Sequence, residues 1–434
     1  MAIVSRSSPT PASVSSPSTP YTVPLAVVTS LFFIWGFLTC LNDILVPHLK
    51  SIFDLNYTEI MLIQFAFFGA YFVFSIPSAK IIDWIGYQRS MVLGLLTMGL
   101  GAFLFVPAAI VPSYPLFLVA LIVLAAGITC LQVAANPYVT VLGKPETASS
   151  RLNLTQAFNS LGTFLAPFFG GLFILSAAPK TIEQIRALAP EALHAYRVHE
   201  AATVKVPYVG LGIALLLLAV AIGSFHLPKI PQAQHKVGEK VNDSIWKHPN
   251  LVFGAIGIFV YVGAEVAIGS FLVNYFIQPD IGALTEKVAA SFVAFYWGGA
   301  MVGRFIGSGL LQKMKTGHLL GICAVCAGAL VTTSMLSFGH FAMWSIILVG
   351  FFNSIMFPSI FTLGVAELGP LTGDGSGILI MAIVGGALIP LAQGAIADKI
   401  GIHHAFFLPV ICYLYILFFA LSGSKPNSER RARA

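Results

Sequence analysis

Apolar positions fall in long uninterrupted blocks along this chain rather than in the short periods of a soluble fold. Twelve such runs follow one another, each near the ~20 residues that a helix needs to cross a bilayer core. They cover approximately 23–46, 59–82, 90–111, 114–142, 152–177, 206–226, 250–276, 288–311, 317–337, 341–364, 375–397 and 404–423. A membrane β-barrel would show short alternating segments instead. The pattern predicts an all-α membrane protein with twelve transmembrane helices.

The polar segments between these runs divide the chain into five parts. We expect a disordered cytoplasmic tail over residues 1–21, a six-helix bundle over 22–226, a cytoplasmic linker over 227–249, a second bundle over 250–423 and a basic cytoplasmic tail over 424–434. The two bundles share spacings in the same order: Gln132, Pro137 and Gly143 match Asn353, Pro358 and Gly364, and Gly162 with Pro167 matches Gly385 with Pro390. These matches predict a duplicated, pseudo-symmetric six-helix unit.

Composition excludes the soluble and disordered classes. Hydrophobic residues make up 57% of the chain and charged residues 9%, whereas a soluble protein is about 25% charged. The net charge of +6 would suggest a nucleic-acid partner in a soluble protein. Here the basic residues lie between apolar runs. Fourteen Lys and Arg residues are in segments on the same side of the membrane as the two termini, and seven are in segments on the other side. This asymmetry places both termini in the cytoplasm and gives the lipid bilayer, not nucleic acid, as the partner.

The first apolar run carries a polar face. Trp35, Thr39 and Asp43 recur at i, i+4 and i+8, with Asn42 beside them, so they share one side of a helix. Asp43 has no basic residue in its own run, and a charged carboxylate is costly to bury alone. Such a group can bind and release a proton. The alternative is that Asp43 is a solvated or capping residue at the helix end, close to Lys50.

Carboxamides mark the fourth and fifth runs. Gln132 and Asn136 form an i, i+4 pair, and Asn153, Gln156 and Asn159 form one stripe. Amides both donate and accept hydrogen bonds, which suits a ligand covered in hydroxyl groups. Interhelical hydrogen bonding is the alternative for any single residue. As a set on adjacent helices they predict a polar cavity.

The second half contains a further intramembrane acid. Glu265 follows Tyr261 by one helical turn, and Asn353 lies in the tenth run. Glu265 has no evident partner in sequence, so it is either a coupling or substrate-binding group or a structural acid hydrogen-bonded within this half.

Enzyme chemistry is not predicted. The sequence has no nucleophile–base constellation, no metal-ligand motif and no phosphate-binding loop. Cys323 and Cys326 form a CxxC inside an apolar run, where packing is the better interpretation. We therefore expect no cofactor and no bound metal.

Several motifs resemble a known family. They are Ala79-Lys-Ile-Ile-Asp-Trp-Ile-Gly-Tyr-Gln-Arg89, Leu41-Asn-Asp-Ile-Leu45, Ala134-Ala-Asn-Pro-Tyr-Val139, Arg151-Leu-Asn-Leu-Thr-Gln-Ala-Phe-Asn-Ser160, Tyr261-Val-Gly-Ala-Glu265 and residues 375–386. The first is similar to the loop motif of the major facilitator superfamily. The others are similar to its fucose–proton symporter family, which also holds bacterial glucose/galactose and N-acetylglucosamine transporters. The glucose/galactose branch fits best.

The resemblance implies roles for particular residues. Asp43 takes the place of a proton-titrating aspartate, and Asp83 and Arg89 would gate the cytoplasmic face. By position, Trp35 matches an aromatic residue beside the sugar, and Gln156 and Asn159 match polar cavity residues. Together with the polar residues found in the spans, the predicted sugar-binding set is Trp35, Thr39, Asn42, Gln132, Asn136, Gln156, Asn159, Tyr261 and Asn353. Gln132 stands where fucose transporters have a glutamate, which leaves Asp43 or Glu265 to couple the ion.

The expected function is import of a monosaccharide across the bacterial inner membrane by cation symport, H⁺ favoured over Na⁺, through alternating access by a monomer. The alternatives are an N-acetylglucosamine or fucose symporter of the same family, a drug or metabolite exporter, and a transport-inactive sugar sensor.

Overall fold

The computed structural model describes residues 21–53, 57–111, 113–173, 188–203, 205–228 and 244–426. The side chains of Thr39 and residues 41–61 lie outside this description. The described part contains helices and connections but no strand. The α-helices are α1 Thr22–Phe53, α2 Tyr57–Ile110, α3 Tyr114–Val141, α4 Ala148–Phe173, α5 Pro190–Thr203, α6 Lys205–Ser224, α7 Pro249–Phe276, α8 Glu286–Leu310, α9 Thr316–Leu336, α10 Gly339–Asn353, α11 Met356–Gly364, α12 Thr372–Met381, α13 Gly385–Ile400, α14 Ile402–Ala405 and α15 Phe407–Phe418.

The predicted twelve spans are recovered from these helices. Nine helical stretches in the described part are long and apolar enough to cross a membrane. One of them contains two spans, because α2 has 54 residues, about 80 Å of helix, and Gly86 breaks it at φ 80 and ψ 169. Adding α1 and α4 gives twelve. The polar stripe of α4 lowers its mean hydropathy, which explains why composition alone does not single it out.

One end of the bundle holds both ends of the described chain. The guanidinium carbon of Arg151 lies 5.9 Å from the ring centre of Tyr21, and Thr316 donates to the Ser149 hydroxyl at 2.9 Å. Ser424, after α15, lies beside Gly317 at the start of α9. We call this the terminal end, and the opposite one the far end.

The predicted internal repeat is confirmed in the way each half packs. A Cβ placed on Gly162 of α4 would lie 2.2 Å from the backbone oxygen of Phe33 in α1. A Cβ on Gly385 of α13 would lie 2.0 Å from the backbone oxygen of Phe259 in α7. Only glycine allows two helix backbones to approach this closely. The same contact therefore joins the first and fifth helices of both halves.

The two halves meet along two seams. The part of α2 before Gly86 packs against α12, and α4 packs against α8. At the first seam, Asp83 Oδ1 lies 3.6 Å from the Cβ position of Gly373, and Ala79 lies beside Gly377. Contacts at the terminal end of both seams close that end of the bundle.

Candidate functional site

The seam between α4 and α8 is polar for most of its length. The Ser150 hydroxyl donates to the Ser308 carbonyl at 2.7 Å, and the Ser308 hydroxyl donates back to the Ser150 carbonyl at 3.3 Å. Nearer the terminal end, Ser149 of α4 shares a hydrogen bond of 2.6 Å with Thr362 of α11. Hydrogen bonds of this kind replace apolar packing and can exchange partners when two helices separate.

Arg304 of α8 is the charged centre of this seam. Its Nη1 donates to the backbone oxygen of Gln156 at 3.4 Å and to the Ser160 hydroxyl, both on α4. Its Nε donates to the Ser354 carbonyl at 3.3 Å, and its own carbonyl accepts from Asn153 at 2.7 Å. One residue of the second half is thus held by three residues of α4.

Glu265 has partners that the sequence did not reveal. Its Oε1 accepts a hydrogen bond from Tyr261 at 2.8 Å and lies 3.9 Å from Nη2 of Arg304. The sequence showed no partner for this acid, because Arg304 comes from the next helix and the register between α7 and α8 is a tertiary property. These contacts match the alternative of an acid hydrogen-bonded within the second half, and its coupling role stays a prediction. Pairing with a cation offsets part of the cost of burying the carboxylate.

Tyr261 and Asn353 belong to a buried hydrogen-bond network. The Tyr261 hydroxyl also contacts the Asn353 carbonyl at 3.1 Å. The Asn353 amide donates to the Tyr296 hydroxyl at 2.9 Å and accepts from the Tyr413 hydroxyl at 2.8 Å. Each of these four side chains is at most 1% exposed. In this arrangement the network ties the helices of the second half together, and the sugar-binding role of Tyr261 and Asn353 stays a prediction.

Amides of the first half retain hydrogen-bonding capacity. Both amide atoms of Asn136 and the Nε2 of Gln156 have no partner within the described residues. Gln132 donates to the Tyr71 hydroxyl at 2.7 Å, and Asn159 donates to the Phe32 carbonyl at 2.9 Å. Asn136, Gln132 and Gln156 are buried, so they do not face lipid. Buried polar atoms without partners are costly unless a ligand or water completes them.

The polar face of α1 lies beside this amide stripe. A Cβ on Gly36 would lie 2.1 Å from the Asn159 carbonyl oxygen, so the α1 and α4 backbones touch there. Trp35 is buried, with its ring centre 4.9 Å from that of Phe32. Asp43, Thr39 and Asn42 are on the same helix, and their side chains lie outside the described part. Their roles stay predictions.

The terminal end of the α2–α12 seam carries a charged contact. Lys80 Nζ lies 2.7 Å from Asp374 Oδ1 in the other half and 3.8 Å from Asp83 Oδ2. Asp83 and Arg89, the predicted gate residues, both line a cavity of about 300 Å³ at this end. Sequence reasoning missed the Lys80–Asp374 pair because 294 positions separate its members and no local spacing connects them.

Comparison with known proteins identifies the family. The sequence profile of the Major Facilitator Superfamily matches residues 27–383. The chain belongs to the major facilitator superfamily. It is 53% identical over 405 residues to the glucose/galactose transporter of Brucella abortus, covering 93% of this chain and 95% of that one. It is 36% identical over 411 residues to the L-fucose-proton symporter of Escherichia coli, covering 92% and 93%.

The solved structure of the major facilitator transporter FucP has the same fold. It matches with a TM-score of 0.85 at 34% identity, over 93% of this chain and 99% of that one. The predicted resemblance and the predicted fold class are confirmed. These relatives are membrane transporters, so this chain is a multi-pass transporter and not an enzyme.

Proposed function

We propose that this protein imports a hexose of the glucose/galactose type by proton symport through alternating access. The observation that carries the proposal is the 53% identity to a glucose/galactose transporter across nearly the whole length of both chains. The relation to a fucose–proton symporter supports coupling to protons.

The buried amides support a hydroxylated substrate. Asn136 and Gln156 offer donors and an acceptor without partners among the described residues. Asn136 lies on α3, which packs against α4 and α12, and Gln156 lies on α4, which packs against α8. A hexose presents several hydroxyl groups that can donate and accept at once. In our proposal Gln132, Asn159 and Trp35 complete the sugar site from the same half.

Two acids carry the coupling in this proposal. Asp43 binds the proton when the site faces outward, which lowers the cost of closing the cavity around it. Glu265 has a different position, because Arg304 joins its carboxylate to the α4 helix of the other half. A change in the charge of Glu265 would alter that cross-seam contact, so Glu265 is the second coupling group.

The closed terminal end fits an outward-open state. The Lys80–Asp374 and Ser150–Ser308 contacts join the halves there, and the FucP structure that matches this chain is described as outward. In our proposal the terminal end faces the cytoplasm of a bacterial inner membrane, in agreement with the charge asymmetry of the loops.

The test is uptake into liposomes containing the purified protein. D-glucose, D-galactose, L-fucose and N-acetylglucosamine are each offered under a proton gradient and, separately, under a sodium gradient. We expect accumulation of glucose or galactose with protons alone. Accumulation only with sodium would refute proton coupling, and accumulation of neither hexose would refute the substrate class.

Asp43→Asn separates coupling from binding in the same liposomes. We expect this variant to lose gradient-driven accumulation while it retains exchange of labelled for unlabelled sugar. Full accumulation by Asp43→Asn would refute the role of Asp43. Gln156→Ala, by contrast, should raise the sugar concentration needed for half-maximal exchange and leave the proton dependence unchanged.

A further inference from the structure

A groove on the outer surface of the second half is unrelated to the sugar site. It lies between α9 and the last helix, has a volume of about 570 Å³, and is lined by Gly321, Ile322, Val325, Cys326, Leu417 and Leu421 among others. Val325 is 52% exposed and Leu421 53%, so these walls face the hydrocarbon of the bilayer.

A glycine lines the groove. Gly321 has no side chain, and a Cβ there would lie at ordinary van der Waals distance, 3.7 Å, from Ala420 and Leu417. The helices approach closely one turn earlier, where a Cβ on Gly317 would lie 2.9 Å from the Ala420 carbonyl oxygen. From His318 to Cys326 the groove follows eight residues, about 12 Å of helix. One leaflet of a bilayer is about 15 Å deep, so the groove runs for most of a leaflet.

Basic side chains surround the terminal end of the groove. Lys313, Lys315 and His318 are exposed there, and His318 also lines the groove itself. Lys425 follows the last helix, next to Ser424, which lies beside Gly317. The sequence has no Asp or Glu between positions 287 and 366, and Lys313, Lys315 and His318 have no ion-pair partner among the described residues.

We propose that this groove binds one anionic phospholipid, with an acyl chain along Ile322 and Val325 and the phosphate against Lys313, Lys315 and His318. An apolar groove open to the bilayer excludes water-soluble ligands, and an unpaired basic cluster at its mouth favours a negatively charged headgroup over a zwitterionic one. The proposal depends on membrane insertion of the chain and not on which sugar or ion it carries.

Native mass spectrometry of the purified protein tests this proposal. The probes are phosphatidylglycerol and phosphatidylcholine with identical acyl chains, added in equal amounts. We expect retention of one phosphatidylglycerol in preference to phosphatidylcholine, with about fivefold preference for each lysine that contacts the phosphate. Equal retention of the two lipids would overturn the proposal.

Two sets of variants separate the headgroup from the groove. Replacing Lys313, Lys315 and His318 by glutamine should abolish the preference, whereas Lys399→Gln, an exposed lysine at the far end of α13, should not. Val325→Trp fills the groove and should reduce retention of both lipids, whereas Leu414→Trp on the exposed side of α15 should not. Ile322→Trp replaces Val325→Trp where the latter does not fold. An unchanged preference in the triple variant, or equal effects of the two tryptophans, would refute the site.

Discussion

A close apolar contact between the two halves, at Gly377, predicts that one added methyl group changes which face of the transporter is open. A Cβ on Gly377 of α12 would lie 2.9 Å from Ala79 Cβ and 3.2 Å from the Ser75 carbonyl oxygen, both on α2. The added methyl group of Gly377→Ala therefore clashes with α2 when the terminal end is closed. When that end opens and α12 moves away from α2, the clash is relieved. Overpacking of this kind costs about 1–3 kcal/mol, which shifts the equilibrium toward the opposite state by about 5- to 150-fold.

A buried reporter between α4 and α11, where the two halves also meet, measures that shift. Thr362 is 7% exposed and hydrogen-bonded to Ser149 of the first half, so Thr362→Cys, in a chain without its five native cysteines, is protected while the terminal end is closed. We expect Gly377→Ala to raise the alkylation rate of the cysteine at position 362 by about 5- to 150-fold.

Gly69→Ala on α2 is the matched control, because nothing lies within 4 Å of its Cβ position and the gain in helix propensity is the same. The reasoning fails if Gly377→Ala leaves the alkylation rate unchanged in a monodisperse protein, or if Gly69→Ala raises it equally.

Three further predictions concern the ends and seams of the bundle. Arg151 donates to the carbonyls of residues 139 and 140 in the last turn of α3 and of residue 144 just beyond it. Arg151→Met should therefore lower the free energy of unfolding by about 3 kcal/mol, measured as the unfolding midpoint in detergent; an unchanged midpoint would contradict this. Lys80→Asp should weaken closure of the terminal end by about 1 kcal/mol and speed alkylation of the cysteine at position 362. Adding Asp374→Lys should restore the slow alkylation; a double variant that is still alkylated quickly would show that the pair does not join the halves. Gly385→Ala should prevent correct packing of α13 on α7, seen as loss of monodisperse protein, because its Cβ would lie 2.0 Å from the Phe259 carbonyl oxygen; normal yield would contradict the proposed backbone contact.

The sequence determined the fold class because the bilayer imposes a simple rule. Every span must be apolar and about 20 residues long, so twelve runs could be counted directly. The duplication was also readable, since Gly162 and Gly385 recur at matching positions and each allows the same backbone contact. Amides and acids inside the spans could be identified from the sequence as well, because polar side chains are rare and costly within apolar membrane helices.

Which of these polar residues are partners depends on how the helices pack in three dimensions. Glu265 meets Arg304 from the next helix, and Lys80 meets Asp374 from the other half, because helix rotation and the meeting of the halves are set by packing across many residues. The spacing of residues in the sequence shows which face of its own helix a residue occupies. It does not show which other helix packs against that face. Asn353 shows the same limit, since its hydrogen bonds to Tyr296 and Tyr413 come from other helices and could not be read from its position in the sequence.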